Sequence, residues 1–562
     1  MLVCLNRSWT QRNAALTCAL GFIAMALVAR PCAGQETADS AAPIYPVKGV
    51  VLNSVTHQPI ARALVDAHET AVLTDNDGRF ELSLPAGGTQ ISLRRPGYGA
   101  RGRATNHSVQ VGANMPALTF YLTPEALITG QVMLSTADAA DGIRVMAYRR
   151  RITSGRETWM MQSSATTNSD GVFRIAGLQP GSYLLYTQPT RDGDGAASRG
   201  TSIYGYPAAY YPGVADISAA GLLTLTAGQH AEADFTLTRQ EFYSVTVMIA
   251  NHEAGGMNLQ VHDRSGRQMS FPVRWNAMQG TAQMNVPSGS YFLEGRRRGE
   301  AQLYGRVDFT VAGAPLTGLN MALLPLHAVP VTVRKVFTAT NTSGSIGFGG
   351  SSEGNSPVSA GLNIVLTAAE EFFGQPGGGG MRSVEGTSDG SSYEIENVSP
   401  GRYWVETTPF EGYVSSITSG GVDLARDPLV IGPGGTSAPI EVTLRNDTGT
   451  ISAQLSGGGI GQQTGAAALG EQQQIYVYAI PLFASSEQIK MGGVQGTGQT
   501  TIAGLAPGSY RVVAVDAPQE IDYHTPEGLA KYAGQGETVT VDAGGSASAQ
   551  LDVIHTTNTD VE

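Results

Sequence analysis

The chain has 562 residues, a formal net charge of −12, 71 glycines and only 15% charged residues. A chain of this length exceeds what one hydrophobic core serves, so several domains are expected, and 41% hydrophobic residues argue against wholesale disorder. An acidic chain without a basic stripe is a poor candidate for binding nucleic acid or anionic lipid.

The first 34 residues have the pattern of a signal peptide. Arg7 and Arg12 precede an apolar run of 16 residues at 14–29, and a small-residue site follows at 32–34. The run is short for a membrane span, so we expect export and removal, with a retained anchor as the alternative. Residues 35–45 are predicted to be a linker.

All three cysteines, Cys4, Cys18 and Cys32, lie in the signal segment. The exported chain would therefore contain no disulfide and no thiolate metal site. Its expected location is the periplasm, the outer surface or the extracellular medium, with no transmembrane span after signal removal.

A short turn then recurs at domain-length spacing. PGSY stands at 180–183 and 507–510, PGRY at 400–403 and PSGSY at 287–291, and their tyrosines are spaced by 108, 112 and 107 residues. We predict that Pro and Gly occupy the centre of a type II turn and that the tyrosine is buried. The residues assigned to this structural turn are Pro180, Gly181, Tyr183, Pro400, Gly401, Tyr403, Pro507, Gly508 and Tyr510.

An alternating strand lies on each side of the turn. Asp-Gly before the first strand suits a tight turn, and alternation places Phe173 and Ile175 before the turn, and Tyr183 and Leu185 after it, on the core face. Each copy is therefore interpreted as a hairpin. Residues 76–93 carry a looser version of the same pattern.

Opening and closing strands bracket each copy, which predicts five all-β domains with about seven strands each, of the Ig-like or transthyretin-like antiparallel sandwich class. The predicted domain ranges are 46–124, 125–240 with a long Tyr-rich loop, 241–327, 328–446 with a Gly/Ser-rich insertion, and 447–556 with a short helix at 525–533.

The segment at 47–99 has the opening Gly49-Val50-Val51, the central stretch Pro59 to Val65, the turn and strand from Thr74 to Phe80, and Leu84-Pro85. This pattern resembles a carboxypeptidase regulatory-like domain. The resemblance covers nearly the whole exported chain, and the arrangement is similar to tandem-repeat exported proteins of Acidobacteria. It implies a transthyretin-like or carbohydrate-binding-like sandwich and says little about function.

Candidate catalytic motifs have simpler explanations. HTPE at 524–527 matches half of a zinc carboxypeptidase motif, but Thr-Pro also suits the start of the short helix. GSSEG at 350–354 fits the nucleophile-elbow pattern, yet it lies in a Gly/Ser tract without the required strand and helix. We predict no enzyme activity, no catalytic residues, no metal and no cofactor.

Four tyrosines crowd the long loop of the second domain, namely Tyr204, Tyr206, Tyr210 and Tyr211. Exposed aromatic rings can stack on sugar faces, so these residues are the candidate ligand-binding set. The alternative is that they pack the loop against its own sandwich.

The sequence thus predicts a non-enzymatic exported binding protein, with carbohydrate as the leading ligand class and no nucleic acid among its partners. Two alternatives remain open. One is a structural or adhesive scaffold that contacts envelope or extracellular proteins, and the other is an unrecognised hydrolase.

Overall fold

The computed structural model describes residues 43–67, 69–99, 104–191, 203–252, 256–297, 302–338, 361–369, 372, 381–383, 392–435, 438–456, 475–494 and 498–554. The predicted signal segment 1–34, the three cysteines and the Gly/Ser-rich tract at 340–357 lie outside these residues. The described chain consists of paired β-sheets repeated along the sequence, so the predicted class of tandem β-sandwiches is confirmed.

Sandwich 1 pairs a three-stranded sheet, in the order β4-β1-β7, with a four-stranded sheet, in the order β3-β2-β5-β6. Apolar and polar residues alternate along its strands, so one side of each strand is buried; in β4 the buried residues are Phe80, Leu82 and Leu84. The strands are β1 Ile44–Asn53, β2 Leu64–Ala67, β3 Thr70–Leu73, β4 Arg79–Pro85, β5 Gly87–Arg94, β6 Thr105–Val111 and β7 Leu118–Leu122.

Sandwich 2 carries the long loop predicted from the sequence. Its strands are β8 Ala126–Leu134, β9 Arg144–Thr153, β10 Arg156–Thr166, β11 Val172–Leu178, β12 Gly181–Thr187, β13 Thr190–Arg191, β14 Ile203–Tyr206, β15 Ala209–Tyr210, β16 Leu222–Leu225, β17 His230–Glu232 and β18 Phe235–Leu237, with a 3₁₀ turn at Ile217–Ala219. One sheet has the order β10-β9-β12-β15, with β16 also on β12, and the other joins β11, β8 and β17, with β18 also on β8.

Sandwich 3 follows without a spacer. Its strands are β19 Gln240–Ala250, β20 Met257–Asp263, β21 Gln268–Met269, β22 Arg274–Asn276, β23 Thr281–Pro287, β24 Gly289–Arg297, β25 Leu303–Val311, β26 Leu316–Ala322 and β27 Leu324–Pro325. One sheet contains β19, β22, β23 and β26, and the other has the order β21-β20-β24-β25-β27.

Sandwich 4 has a six-stranded sheet, β30-β31-β28-β36-β33-β34, and a three-stranded sheet, β29-β32-β35. Its strands are β28 His327–Val336, β29 Leu362–Ala368, β30 Met381–Ser383, β31 Ser392–Val398, β32 Gly401–Pro409, β33 Tyr413–Ser419, β34 Val422–Asp423, β35 Leu429–Ile431 and β36 Ile440–Arg445.

Sandwich 5 pairs a sheet in the order β40-β37-β43 with one in the order β39-β38-β41-β42, and β44 also pairs with β41. Its elements are β37 Gly449–Leu455, β38 Ile475–Pro481, β39 Lys490–Val494, β40 Gln499–Leu505, β41 Gly508–Val515, α1 Pro526–Ala530, β42 Glu537–Val541, β43 Ser546–Leu551 and β44 Val553–Ile554. The helix is capped as predicted, because the Thr525 side chain accepts from the Gly528 amide (3.1 Å), but it ends earlier than predicted, at Ala530.

Each sandwich has its own cluster of buried apolar side chains. These five clusters span Val47 to Leu122, Ala126 to Leu237, Phe242 to Leu323, Val329 to Leu444 and Ile451 to Leu551. Each cluster falls inside one of the predicted domain ranges, and we propose those ranges as the domain boundaries.

The sequence predicts antiparallel sheets, but every sandwich also contains at least one parallel strand pair. In every sandwich the opening strand pairs in parallel with the closing strand, as β1 does with β7 and β37 does with β43. The other opening strands, β8, β19 and β28, pair in the same way with β18, β26 and β36. The alternation of side chains is identical in parallel and antiparallel strands, so strand direction was not available from the pattern.

The repeated segment is also not a hairpin. Strands β11 and β12, which flank the turn at 180–183, belong to opposite sheets, and the same holds for β31 with β32 and for β40 with β41. The turn is therefore a corner between the two layers of each sandwich. A hairpin and a corner between two sheets both place alternate residues in the core, so the alternation could not distinguish one from the other.

The type II turn expected at this corner is also wrong. Gly181 and Gly508 have φ of +143° and +154°, far from the ~+80° of that turn type, and Gly401 has no positive φ. Each glycine instead begins the next strand.

The corner is held by its tyrosine. The hydroxyls of Tyr183, Tyr403 and Tyr510 donate to the backbone carbonyls of Gln179, Ser399 and Ala506, at 2.6, 2.9 and 2.7 Å. All three rings are buried. Six residues before each tyrosine, a residue with positive φ coincides with a register shift; these residues are Gly177, Asn397 and Gly504. The structural role predicted for the turn tyrosines is thus a ring in the core and a hydroxyl on the corner backbone.

Candidate functional site

The places where sandwiches meet bring together charged and aromatic side chains from different sandwiches. Sandwich 2 is joined to sandwich 3 by strand addition. In the long loop, β14 pairs antiparallel with β19 of sandwich 3, with Tyr204 opposite Glu241. The loop thereby extends the sheet of the next sandwich and covers one of its edges.

Sandwich 4 meets sandwich 2 in a comparable way. Phe372 pairs in parallel with Trp159 on β10, the edge strand of sandwich 2. The Phe372 ring is buried together with Met146, Tyr186 and Tyr210 of sandwich 2. These contacts form an apolar patch between the two sandwiches.

Arg267 of sandwich 3 closes this patch, and we name the contact of sandwiches 2, 3 and 4 the Arg267 junction. Its guanidinium carbon lies 3.4 Å from the centre of the Tyr186 ring, 4.6 Å from that of Tyr210 and 5.3 Å from that of Phe372. Its Nη2 donates to Asp263 Oδ2 at 2.6 Å, and the side chain is only 6% exposed. Among the described residues, Nε and Nη1 have no hydrogen-bond partner, so aromatic faces and one carboxylate hold the cation.

Sandwich 5 meets sandwich 4 through backbone pairing of Ser486 and Glu487 with Thr407. The Thr407 amide on β32 donates to the Ser486 carbonyl (2.9 Å), and Thr407 forms a parallel bridge with Glu487. Glu487 also accepts from the Val414 amide at 2.6 Å. Burial raises the pKa of the Glu487 carboxyl, which this hydrogen bond and Lys490 partly oppose.

The hairpin of β9 and β10 in sandwich 2 reaches both sandwich 4 and sandwich 5, and we name this contact the Arg156 junction. Its tip, Ser154 and Gly155, has φ of +50° and +73°, as in a two-residue type I′ turn. The Arg156 guanidinium carbon lies 3.4 Å from the centre of the Trp404 ring, and Ser154 donates to Glu406 Oε2 at 2.7 Å.

Sandwich 5 completes the Arg156 junction. Arg151 pairs with Glu520, and the Tyr523 ring packs so closely that a Cβ on Gly155 would lie 2.2 Å from it. Burial and the nearby Arg156 lower the pKa of His524 to about 4, against a weaker effect of its hydrogen bond with the Ser154 backbone. His524 is therefore neutral at pH 7.

The two junctions differ in how completely they are filled. The cavity at the Arg156 junction has a volume of about 10 Å³, no more than a single water needs. Beside the Arg267 junction lies an open cleft of about 620 Å³, within the ~300–1,000 Å³ range of small-ligand sites. Its polar lining includes Tyr210 and Asp216 of sandwich 2, Asp263, Arg264 and Tyr291 of sandwich 3, and Arg402 of sandwich 4.

The structure places the four candidate sugar-binding tyrosines in different surroundings. Tyr210 is 3% exposed and lies in the Arg267 junction, whereas Tyr206 and Tyr211 pack partly buried against the core of sandwich 2. Tyr204 is 37% exposed, with Arg239 stacked 4.5 Å from its ring centre. The four rings are not a coplanar exposed set, and this arrangement favours the packing alternative.

Only part of the candidate catalytic motifs lies within the described residues. His524 of HTPE lies in the Arg156 junction, while the GSSEG segment at 350–354 lies outside the described residues. In the described ranges, no three or more His, Cys, Asp or Glu side chains group closely enough to hold a metal ion. None of the helices in the described part of the chain is long and apolar enough to span a membrane.

Sequence reasoning missed Arg156 and Arg267, the residues at the centres of the two junctions. The Ser154-Gly155 pair between two alternating stretches was a usable signal for the hairpin tip. Nothing in the local sequence of Arg267 indicates that rings from sandwiches 2 and 4 surround it.

Comparison with known proteins gives no family. No family model matches the chain, and no curated protein matches it, so the carboxypeptidase regulatory-like resemblance is not confirmed. Solved structures with partial likeness include the TIE protein of Bacillus anthracis, at 13% identity and a TM-score of 0.17 over 50% of this chain and 51% of that one. This chain thus spans about half the length of that protein.

Two pilins also show partial likeness. The minor pilin of Streptococcus agalactiae has 14% identity and a TM-score of 0.20 over 34% of this chain and 95% of that one. A streptococcal ancillary pilin has 11% identity and a TM-score of 0.18 over 49% and 99%. Likenesses at these TM-scores carry no argument about what this chain does.

Proposed function

We propose that this protein is an exported, non-enzymatic scaffold in which sandwiches 2 to 5 are locked together. The observation that supports the proposal is the contact of sandwich 2 with sandwich 5, which lie far apart in the sequence, through the Arg156 junction. A string of independent modules has no need for such contacts, whereas a scaffold that holds surfaces at fixed positions does.

Backbone pairing between sandwiches supports the same interpretation. Strand β14 pairs with β19 over three residues, and single β-bridges join Phe372 to Trp159 and Thr407 to Glu487, so relative motion of these sandwiches requires breaking the pairings. Consistently, residues Ile44–Glu562 form one compact unit. The export part of the proposal rests on the sequence pattern at 1–34.

Distance measurement between two spin labels tests the scaffold. The chain has no cysteine after Cys32, so Asp170→Cys in sandwich 2 and Asp552→Cys in sandwich 5 provide two unique exposed sites. We expect a single narrow distance distribution by pulsed electron resonance. A broad distribution, as from freely jointed modules, would contradict the proposal.

Carbohydrate binding is the second candidate function, and the open polar cleft beside the Arg267 junction is the observation that favours it. The loop that carries the four tyrosines contributes Tyr210 to the wall of this cleft. The sugar site would then lie between sandwiches rather than on an exposed tyrosine platform.

A further inference from the structure

We propose that the cleft beside the Arg267 junction binds a short acidic oligosaccharide, with Tyr291, Arg264 and Arg402 as its principal polar contacts. The inference rests on the proposed scaffold function, because the cleft has its shape only while sandwiches 2, 3 and 4 are held together.

Tyr291 is the corner tyrosine of sandwich 3, and it departs from the other three. Its ring is buried beside Phe271 and Phe309, but within the described chain its hydroxyl makes no hydrogen bond. Tyr291 and Gly289 both line the cleft. The corner hydroxyl that bonds the backbone in sandwiches 2, 4 and 5 is thus available to a ligand in sandwich 3.

The sequence explains why this corner differs. In sandwich 3 the proline stands two residues before the corner glycine, as PSG, whereas QPG, SPG and APG place it next to the glycine. Pro287 consequently remains in β23 opposite Phe242, and the β19–β23 register runs from 281 to 287 without the shift seen at the other three corners. Asn285, six residues before Tyr291, has no positive φ.

Two arginines give the cleft an excess of positive charge. Arg264 of sandwich 3 and Arg402 of sandwich 4 are exposed, and neither forms an ion pair within the described residues. The Asp263 carboxylate is already occupied by Arg267, which leaves Asp216 on the rim as the opposing charge. On a chain of net charge −12, this local excess favours an anionic ligand.

The remaining polar groups suit hydroxyls. Ser265 donates its hydroxyl hydrogen to Asp263 at 2.6 Å and keeps acceptor capacity on its oxygen, while Tyr291 can donate or accept. Asp216 adds a carboxylate acceptor. Sugar hydroxyls both donate and accept, so a mixed lining of this kind fits a saccharide, and a uronic-acid carboxylate fits the planar donors of arginine.

The test is a titration of the full chain with oligogalacturonates of two to four rings, alongside neutral galactose oligomers of equal length. We expect saturable binding of the acidic series with at least about tenfold preference over the neutral one, corresponding to one charge-assisted hydrogen bond. Arg402→Gln should weaken binding by about tenfold or more, and Tyr291→Phe by several-fold.

Matched variants control for charge and for the corner itself. Arg274→Gln removes an exposed arginine of sandwich 3 outside the cleft, and Tyr510→Phe removes a corner hydroxyl in sandwich 5. Both should leave the dissociation constant within about twofold of the unmodified protein.

Three results would overturn the inference. These are no binding of either series, equal binding of acidic and neutral oligomers, and full binding by Arg402→Gln and Tyr291→Phe. The spin-label distances tell which proposal has failed, because a narrow distribution without saccharide binding refutes the ligand and leaves the scaffold intact.

Discussion

The Arg267 and Arg156 junctions both stack an arginine on an aromatic ring, but their surroundings differ. In each, an arginine from one sandwich stacks 3.4 Å from the centre of an aromatic ring of another, and a third sandwich completes the contact. The Arg156 junction is filled to within about 10 Å³, whereas the Arg267 junction borders a cleft of about 620 Å³. Three sandwiches with curved surfaces leave a gap where they meet unless side chains fill it. Only the Arg156 junction supplies those side chains.

The largest effect is expected from Arg267→Ala. The substitution leaves Asp263 half-enclosed without its cation and empties the space between Tyr186 and Phe372. We expect a loss of about 3–5 kcal/mol in the free energy of unfolding, as for other broken buried pairs. Urea unfolding followed by aromatic fluorescence measures it. A loss equal to that of an exposed arginine such as Arg274→Ala would show that the cage stabilises nothing.

The filled junction is broken by Gly155→Ala. Its Cβ would lie 2.2 Å from the Tyr523 ring at φ of +73°, so overpacking of about 1–3 kcal/mol adds to the cost of the left-handed backbone. Gly142→Ala is the matched control, because Gly142 has the same φ and no atom within 4 Å of the new Cβ. Equal unfolding midpoints for the two variants would mean that the hairpin tip does not press on sandwich 5.

Tyrosine-to-phenylalanine substitutions sharpen the contrast between structural and available hydroxyls. Tyr183→Phe removes a 2.6 Å hydrogen bond to Gln179 and should cost about 1–2 kcal/mol, because the carbonyl loses its partner. Tyr291→Phe should change the free energy of unfolding, measured by urea unfolding, by less than about 0.5 kcal/mol, since no such bond is lost. Equal losses would show that the Tyr291 hydroxyl is structural after all.

The smallest expected effect is a pH dependence confined to the filled junction. His524 has a pKa of about 4 in the folded protein and about 6.5 unfolded, so only the unfolded chain takes up the proton between these values. The stability contributed by neutral His524 is complete above pH 6.5 and decreases as the pH falls toward 4. Glu487, with its raised pKa, acts in the opposite direction, so the comparison must isolate the histidine.

The measurement is the melting temperature between pH 7 and pH 4 for the protein and for His524→Gln, which cannot titrate. The slope should be smaller in the variant. Identical slopes would contradict a coupling between His524 and the Arg156 junction. The Arg267 junction should be insensitive to this substitution.

Several features were predictable because they depend on neighbours in the chain. Period-two alternation identified the side chains of β11, β12, β31 and β41 that face their own sandwich core, although the other face of β12 is buried as well. The cap at Thr525 followed from a Thr-Pro pair. The recurrence of the turn gave the tandem β-sandwich architecture.

The same local rules were wrong wherever the partner was distant. They assigned the corner to a hairpin because alternation does not specify which sheet a strand joins. They left open whether Tyr210 is exposed or packed, because they could not include Arg267 and Phe372, which bury it from sandwiches 3 and 4.

By itself, the sequence determined that this protein is a series of β-sandwiches in which one tyrosine-containing turn recurs. Each sandwich can bury its own alternating apolar residues, and that information lies within about a hundred consecutive residues. Only the tertiary structure decided how sandwich 2 meets sandwiches 3, 4 and 5, and which junction stays open. Those contacts join residues from tens to hundreds of positions apart, and they depend on shape and charge between surfaces that no local pattern encodes.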